Sequence, residues 1–304
     1  MSTFRAEPAT EPEYELSEGI LWDDRAARVR WVDIWKGRVL SGSLHDGRIE
    51  DITSTDLGQT AGAVALAEDG GLLVAAARSL ATVSVDGAVS FGPDLLGERA
   101  DTRFNDGSVD PQGRFVVGTL ALGAETGDEV LLRVSADGTV ETLRSGIRLS
   151  NGIAFSPDGG TIYHVDTVAN TVSRHSYGPG PFDLDEPWVT VLADLPHFPD
   201  GLTVDSEGML WVAQWGGSSV RRHAPTGELL DIVEVDATQA SCPAFVGPDL
   251  ATLAITTAQE GLKGWTDQSG AIFLADVGAT GLPVPRWSGS TTNPSWNTDK
   301  EAHA

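Results

Sequence analysis

The sequence predicts an all-β fold, a six-bladed β-propeller whose blades are four-stranded antiparallel sheets closed into one ring. The first observation behind this is a repeat. Glycine-anchored phrases recur across the 304 residues at Gly19, Gly62, Gly107, Gly152 and Gly201, with Pro243 standing at the sixth position. The intervals are 43, 45, 45, 49 and 42 residues, the period of blade architectures. The second observation is the texture between anchors. Apolar runs of four to seven residues, rich in Val, Leu, Ile and Trp, alternate with Asp-Gly, Gly-Gly and Pro-Asp turns, and no stretch has helical periodicity.

Taken in chain order, residues 1–16 are polar and rich in Pro and Glu, and read as a lead-in or as the outer strand that closes the ring. The propeller proper is expected over 17–290. Its first unit opens with SEGILW and continues through VRWVDI; its third opens with RFNDGSVDPQGRFVVGTL. The fourth unit shows all four strands: GIAF, TIYHVD, TVSRHSY and WVTVLADL, parted by SPDGG, TVAN and a Pro/Gly-rich loop. The fifth repeats the plan with GLTV, MLWVAQW, VRRHA and LLDIVEV, and the sixth anchor reads ASCPAF. The ending, TTNPSWNTDKEAHA at 291–304, reads as a flexible tail. Trp31 and Trp211 fall mid-strand and are assigned to the core.

Composition narrows the function classes. The chain is 40% apolar and 21% charged, with 35 glycines, which suits a turn-rich globular protein. Its formal charge of −24, with Lys and Arg scattered, argues against nucleic acid and anionic membranes as partners. Cys242 is the single cysteine, so no internal disulfide forms. No segment has the apolar core of a signal peptide or the length of a membrane span, and a cytoplasmic location is expected.

In a propeller the innermost strand of every blade lines the central channel, so equivalent residues of the repeat meet at one mouth. The residues before the anchors are Glu18, Ala61, Asn105 with Asp106, Asn151, Asp200 and Cys242. Asn-Gly and Asp-Gly are ordinary turn pairs, so each phrase alone is explained by turn chemistry. Glu-Gly is not such a pair. Glu18, Asn151 and Asp200 together bring two carboxylates and an amide oxygen to a narrow opening, an arrangement that calls for a cation or hydrogen-bond donors. At the level of residue pattern, turn role and ligand role both stand. Oxygen ligands suit Ca²⁺, Mg²⁺ or Mn²⁺, with Zn²⁺ and Fe²⁺ also possible, and three protein ligands leave room for water and substrate.

On the phrases SEGILW, VRWVDI, RFNDGSVDPQGRFVVGTL, LSNGIAFSPDG and PDGLTVDSEGMLWVAQWGG, the chain resembles the SMP-30/gluconolactonase/regucalcin-like family. The resemblance implies a propeller with one divalent metal in the channel, held by Glu18, Asn151 and Asp200, with Asp200 also the general base. It implies hydrolysis of a sugar-acid lactone such as a glucono-, xylono- or arabinonolactone, with Arg103 and Asn105 contacting the small-molecule substrate. Family members carry an acidic residue after the GTM-like phrase; here the text is GTLALGAETGDEV, and Glu125 is the nearest acid. A broader non-sugar lactonase or esterase, and a calcium-binding regulatory propeller without turnover, are the rival readings. There is no Gly-x-Ser-x-Gly elbow, HExxH or phosphate loop to support other chemistries.

Trp35 and Trp215 follow second strands and so stand near the mouth, where an indole stacks on a sugar face or packs between blades. His197, just before Asp200 in LPHFPDG, is a candidate substrate contact. Asp33, Asp166 and Thr167 end comparable strands and are assigned to hydrogen bonding of blade turns. Asp106 is a candidate support for the metal site, and Cys242 a buried small side chain.

Overall fold

The computed structural model describes residues 1–264 and 267–294. It is a ring of six sheets, each built outward from the channel by strands consecutive in sequence. Blade one comprises Ser17–Asp23, Arg28–Asp33, Arg38–His45 and Arg48–Asp56; blade two starts at Ala61–Leu66, blade three at Thr102–Val109 and blade four at Ser150–Phe155. Blade five runs from Phe198–Val204 to Leu229–Glu234, and blade six from Gln239–Val246 through Thr252–Ala258 to Phe273–Asp276. The fold class read from the repeat is the one observed, and no described residue is helical. No described helix is long and apolar enough to cross a membrane.

The 42–49-residue spacing becomes a ring because the inner strands are buried on both faces. Every residue of Ser17–Asp23, Ala61–Leu66 and Ser150–Phe155 is buried, whereas the outer strand Arg48–Asp56 is mostly exposed. Apolar clusters therefore sit between blades. One joins blades five and six around Trp211, Phe245 and Phe273, all buried, and another packs Trp31 against blade six. Such burial is the main favourable term in folding.

The N-terminal segment is drawn into the ring. Ser2–Arg5 pairs parallel with Leu229–Glu234 as a fifth strand of blade five, and Glu7–Pro8 pairs antiparallel with Phe273–Asp276 as the outer strand of blade six. Blade six is thus completed by residues from the other end of the chain.

Residues after blade six cross the far end of the channel. The Gly281 amide donates to Leu250 O at 2.8 Å, and Leu282 to Pro285 face a channel cavity of about 340 Å³ bounded by all six inner strands. Arg286 then pairs with Asp23 at 3.1 Å, the Trp287 amide donates to Leu66 O at 2.8 Å, and the Ser288 amide to Gly113 O at 2.9 Å. This strap links blades six, one, two and three. Thr291, at the start of the expected tail, is buried, and its amide donates to Asp69 at 2.6 Å; residues 295–304 of that tail lie outside the described residues.

Candidate active site

Each inner strand changes register at its anchor. Glu18 pairs with Val32 but Leu21 with Arg30; Asn151 pairs with Val165 but Ile153 with His164; Pro199 pairs with Gln214 but Leu202 with Val212. The Asn-Gly and Asp-Gly pairs, read from sequence as turns, are therefore β-bulges inside strands. A bulge re-aims a side chain, and here it falls at the channel mouth in every blade. The glycine is needed because neighbouring inner strands nearly touch: a Cβ on Gly152 would lie 2.7 Å from Asp200 O, and one on Gly62 would lie 2.2 Å from Asn105 O.

The mouth opens into a cavity of about 380 Å³ that brings together Glu18, Arg103, Asn105, Asn151, Asp200 and Trp215. The first five are only 3–7% exposed. Apolar side chains, among them Leu16, Ile34, Leu120 and Phe198, form most of the remaining wall.

A hydrogen-bond chain fixes the amides. Arg103 Nη1 donates to Asn105 Oδ1 at 2.7 Å and to Phe104 O at 2.8 Å. Asn105 Nδ2 donates to Ser150 O at 2.9 Å and to Asn151 Oδ1 at 3.3 Å. Asn151 Nδ2 donates to Thr167 Oγ1 at 3.1 Å, and the Thr167 hydroxyl donates to Pro199 O at 2.8 Å. With donors and acceptors assigned along the whole chain, Asn151 Oδ1 retains a lone pair for a further partner.

The carboxylates are short of positive charge. Burial, then Asp200 and Asp106, push the Glu18 carboxyl well above its ordinary value, opposed by the Gly19 amide and Arg103. Burial, Asp106 and Glu260 do the same to Asp200, opposed by Asn151. Asp106, on the channel side of the site, is pushed up to about 6, mainly by burial. Among the described residues neither Glu18 nor Asp200 forms an ion pair. Two mutually repelling carboxylates and an oriented amide oxygen fit a hard divalent cation. Among the described residues no three His, Cys, Asp or Glu side chains are grouped to hold a metal; the third oxygen beside Glu18 and Asp200 in the cavity is that of the Asn151 amide.

Arg103 is the cation of the mouth. Burial lowers its pKa to about 10, with Glu260 and Glu18 acting in the opposite direction. Its guanidinium lies 5.2 Å from the centre of the Trp35 ring, and its buried Nε has no hydrogen-bond partner among the described residues. Trp35 Nε1 in turn donates to Glu260 Oε1 at 2.9 Å.

Two expected contacts lie elsewhere. Glu125 forms a two-point ion pair with Arg148, at 2.7 and 2.8 Å, outside the cavity. His197 is exposed and lies against Gly217, where an added Cβ would meet its Cδ2 at 2.6 Å. Asp33 and Asp166 cap the loops entering their blades, Asp166 accepting from the Arg148 and Leu149 amides at 3.0 and 3.2 Å. Glu260 was missed in the sequence. It follows the second strand of blade six by two residues, as Trp35 follows that of blade one, so the repeat contained the signal.

Residues 16–259 match the family model described as SMP-30/Gluconolactonase/LRE-like region. A pentonolactonase of Haloferax volcanii is 35% identical over 282 residues, 88% of this chain and 93% of the relative. An L-arabinolactonase of Azospirillum brasilense is 35% identical over 288 residues, 90% of this chain and 93% of the relative. The crystal structure of a calcium-binding protein, regucalcin, from Agrobacterium tumefaciens superposes with a TM-score of 0.87 at 28% identity, covering 94% of this chain and 98% of that one. The match extends from the strand carrying Glu18 to the end of blade six's second strand and so takes in every residue of the buried polar cluster: the chain belongs to the SMP-30/gluconolactonase/LRE-like family.

Proposed function

We propose that this protein hydrolyses the lactone of a sugar acid to the open-chain acid, with a divalent cation held by Glu18, Asn151 and Asp200. The observation that carries this reading is the meeting of two buried, unpaired carboxylates and an oriented amide oxygen beside the Arg103 guanidinium, at the base of a cavity sized for a small molecule. The lactonases among its relatives favour the same chemistry, and the calcium-binding neighbour favours Ca²⁺ among the candidate ions.

When bound, the cation supplies electrophilic assistance to the lactone carbonyl and offsets charge developing on its oxygen. Asp200 is the general base. It takes the proton of the attacking water as the new carbon–oxygen bond forms and returns it to the ring oxygen as that oxygen's bond to the carbonyl carbon breaks. Arg103 presents donors that its bonds to Phe104 and Asn105 leave free, and Asn105 keeps Asn151 in register. The apolar wall excludes bulk water from the reacting face. That wall also favours a second reading, a lactonase acting on less hydroxylated rings.

The test is hydrolysis of glucono-, xylono-, arabinono- and galactonolactone by chelated and ion-reloaded protein. Turnover that returns with a divalent ion and is lost in Asp200→Ala is expected. Equal turnover by chelated Asp200→Ala would overturn the mechanism.

A further inference from the structure

The cavity wall carries few polar groups, and most are already engaged. Thr167 spends its hydroxyl on both sides, accepting from Asn151 and donating to Pro199. Glu260 does not. Trp35 Nε1 is the one hydrogen-bond partner of its side chain among the described residues, and it forms no ion pair there. A carboxylate offers about four lone-pair sites, so acceptor capacity is left facing the cavity. Arg103 lies over the same indole, with a buried Nε that has no hydrogen-bond partner among the described residues. One tryptophan ring thus holds an acceptor by its N–H and a donor against its face. Trp35 has two side-chain torsions to fix, so the pair is positioned at low entropic cost.

A ligand matched to this pair has a hydroxyl that donates on one side and an oxygen that accepts on the other, as a hydroxylated lactone ring does. Glu125, the acid expected near this wall, is bound to Arg148 outside the cavity, which leaves Glu260 as its carboxylate besides Glu18 and Asp200.

Resting on the lactonase reading, we propose that Glu260 is a specificity-determining residue of the site, accepting a hydrogen bond from a ring hydroxyl of the substrate while Trp35 fixes its carboxylate. A hydroxyl bound to a charged acceptor is discriminated strongly from its absence.

The experiment compares wild type, Glu260→Ala, Glu260→Gln and Trp35→Phe on a hydroxylated lactone and on analogues each lacking one ring hydroxyl. In Glu260→Ala, kcat/KM for the hydroxylated lactone should fall about 10- to 100-fold, chiefly through KM. One deoxy analogue should be affected little, so the preference for that hydroxyl disappears. Glu260→Gln, which keeps an acceptor oxygen, should recover part of the loss, and Trp35→Phe should lie between Glu260→Gln and wild type. Equal losses on every analogue, or none on any, overturn the proposal. So does a fall in divalent-ion affinity matching that of Asn151→Ala, which would make Glu260 a ligand. If wild type opens no lactone, the lactonase reading falls separately. Glu260 is then judged by tryptophan-fluorescence titration with hydroxylated and deoxy lactams, where absence of hydroxyl-dependent binding to wild type overturns the proposal.

Discussion

Asp200 and Asp205 lie at the two ends of one inner strand region, both buried, in opposite surroundings. Asp205 accepts from the Glu207 and Met209 amides at 3.0 and 2.9 Å, from Trp211 Nε1 at 3.0 Å and from Arg222 at 2.7 and 2.9 Å. Blade three repeats the device, Asp110 pairing with Arg114 at 2.6 Å and taking the Tyr177 hydroxyl at 2.7 Å. Among the described residues Asp200 has no such cation, and burial, then its carboxylate neighbours, push its pKa up. The far end of the channel satisfies Asp205 and Asp110 with the protein's own groups; at the mouth Glu18 and Asp200 have no ion-pair partner among the described residues. Burial alone does not distinguish a structural acid from a functional one, whereas the supply of donors does.

The widest separation of the two acids is expected in turnover. On the proposed mechanism, in which Asp200 is both base and ligand, Asp200→Ala should lower kcat about 10³-fold or more, with the folded protein retained. Steady-state kinetics beside a thermal melt checks this; a drop under tenfold breaks the contrast.

Asp205→Ala should act the other way. Removing it leaves the Trp211 N–H and the Glu207 and Met209 amides without this acceptor, while Arg222 keeps Glu207 at 2.6 Å and Asp231 at 3.3 Å, so the expected loss is that of stranded donors, about 1–3 kcal/mol. Denaturant unfolding measures that loss, while kcat of the protein that remains folded should stay close to wild type. A fall in kcat without a fall in stability would erase the distinction between the two ends.

Next in size are the other donors of the mouth. Glu18→Gln and Asn151→Ala should each weaken divalent-ion binding by at least about tenfold, read by calorimetry, and Thr167→Ala should weaken it less, since Thr167 acts through the Asn151 amide and the Pro199 carbonyl.

The ring and the positions of Glu18, Asn151 and Asp200 in it were legible because a fixed repeat converts sequence spacing into spatial equivalence: any residue just before an anchor glycine must reach the same mouth. What the repeat did not carry was local geometry. The polar-Gly pairs read as turns because two residues cannot reveal that the neighbouring blade's backbone presses against Gly152 and Gly62. Glu125 was drawn toward the site by its position in the chain, but an arginine 23 residues on captures it. Nor could the sequence show that Leu282 to Pro285 line the far end, since a strap outside the repeat has no equivalent to be aligned with.

The smallest expected effect is also the one that tests the charge imbalance without any reaction. Glu18, Asp200 and Asp106 all have folded-state pKa values above their ordinary ones, so the folded protein binds more protons than the unfolded chain once pH exceeds those ordinary values. Stability of the chelated protein should therefore fall as pH rises from about 4 upward, through about 6 for Asp106. Asp200→Asn removes one of the repelling charges and should flatten that fall, raising Tm at neutral pH by about 2–4 °C for each kcal/mol relieved. A saturating divalent ion, which binds the ionised carboxylates of the folded state, should remove the decline in wild type and do less in the variant. Melts across pH with and without the ion read all three. If Asp200→Asn instead lowers Tm at neutral pH in chelator, the carboxylate already has its positive partner within the protein, and the mouth is no different from the far end.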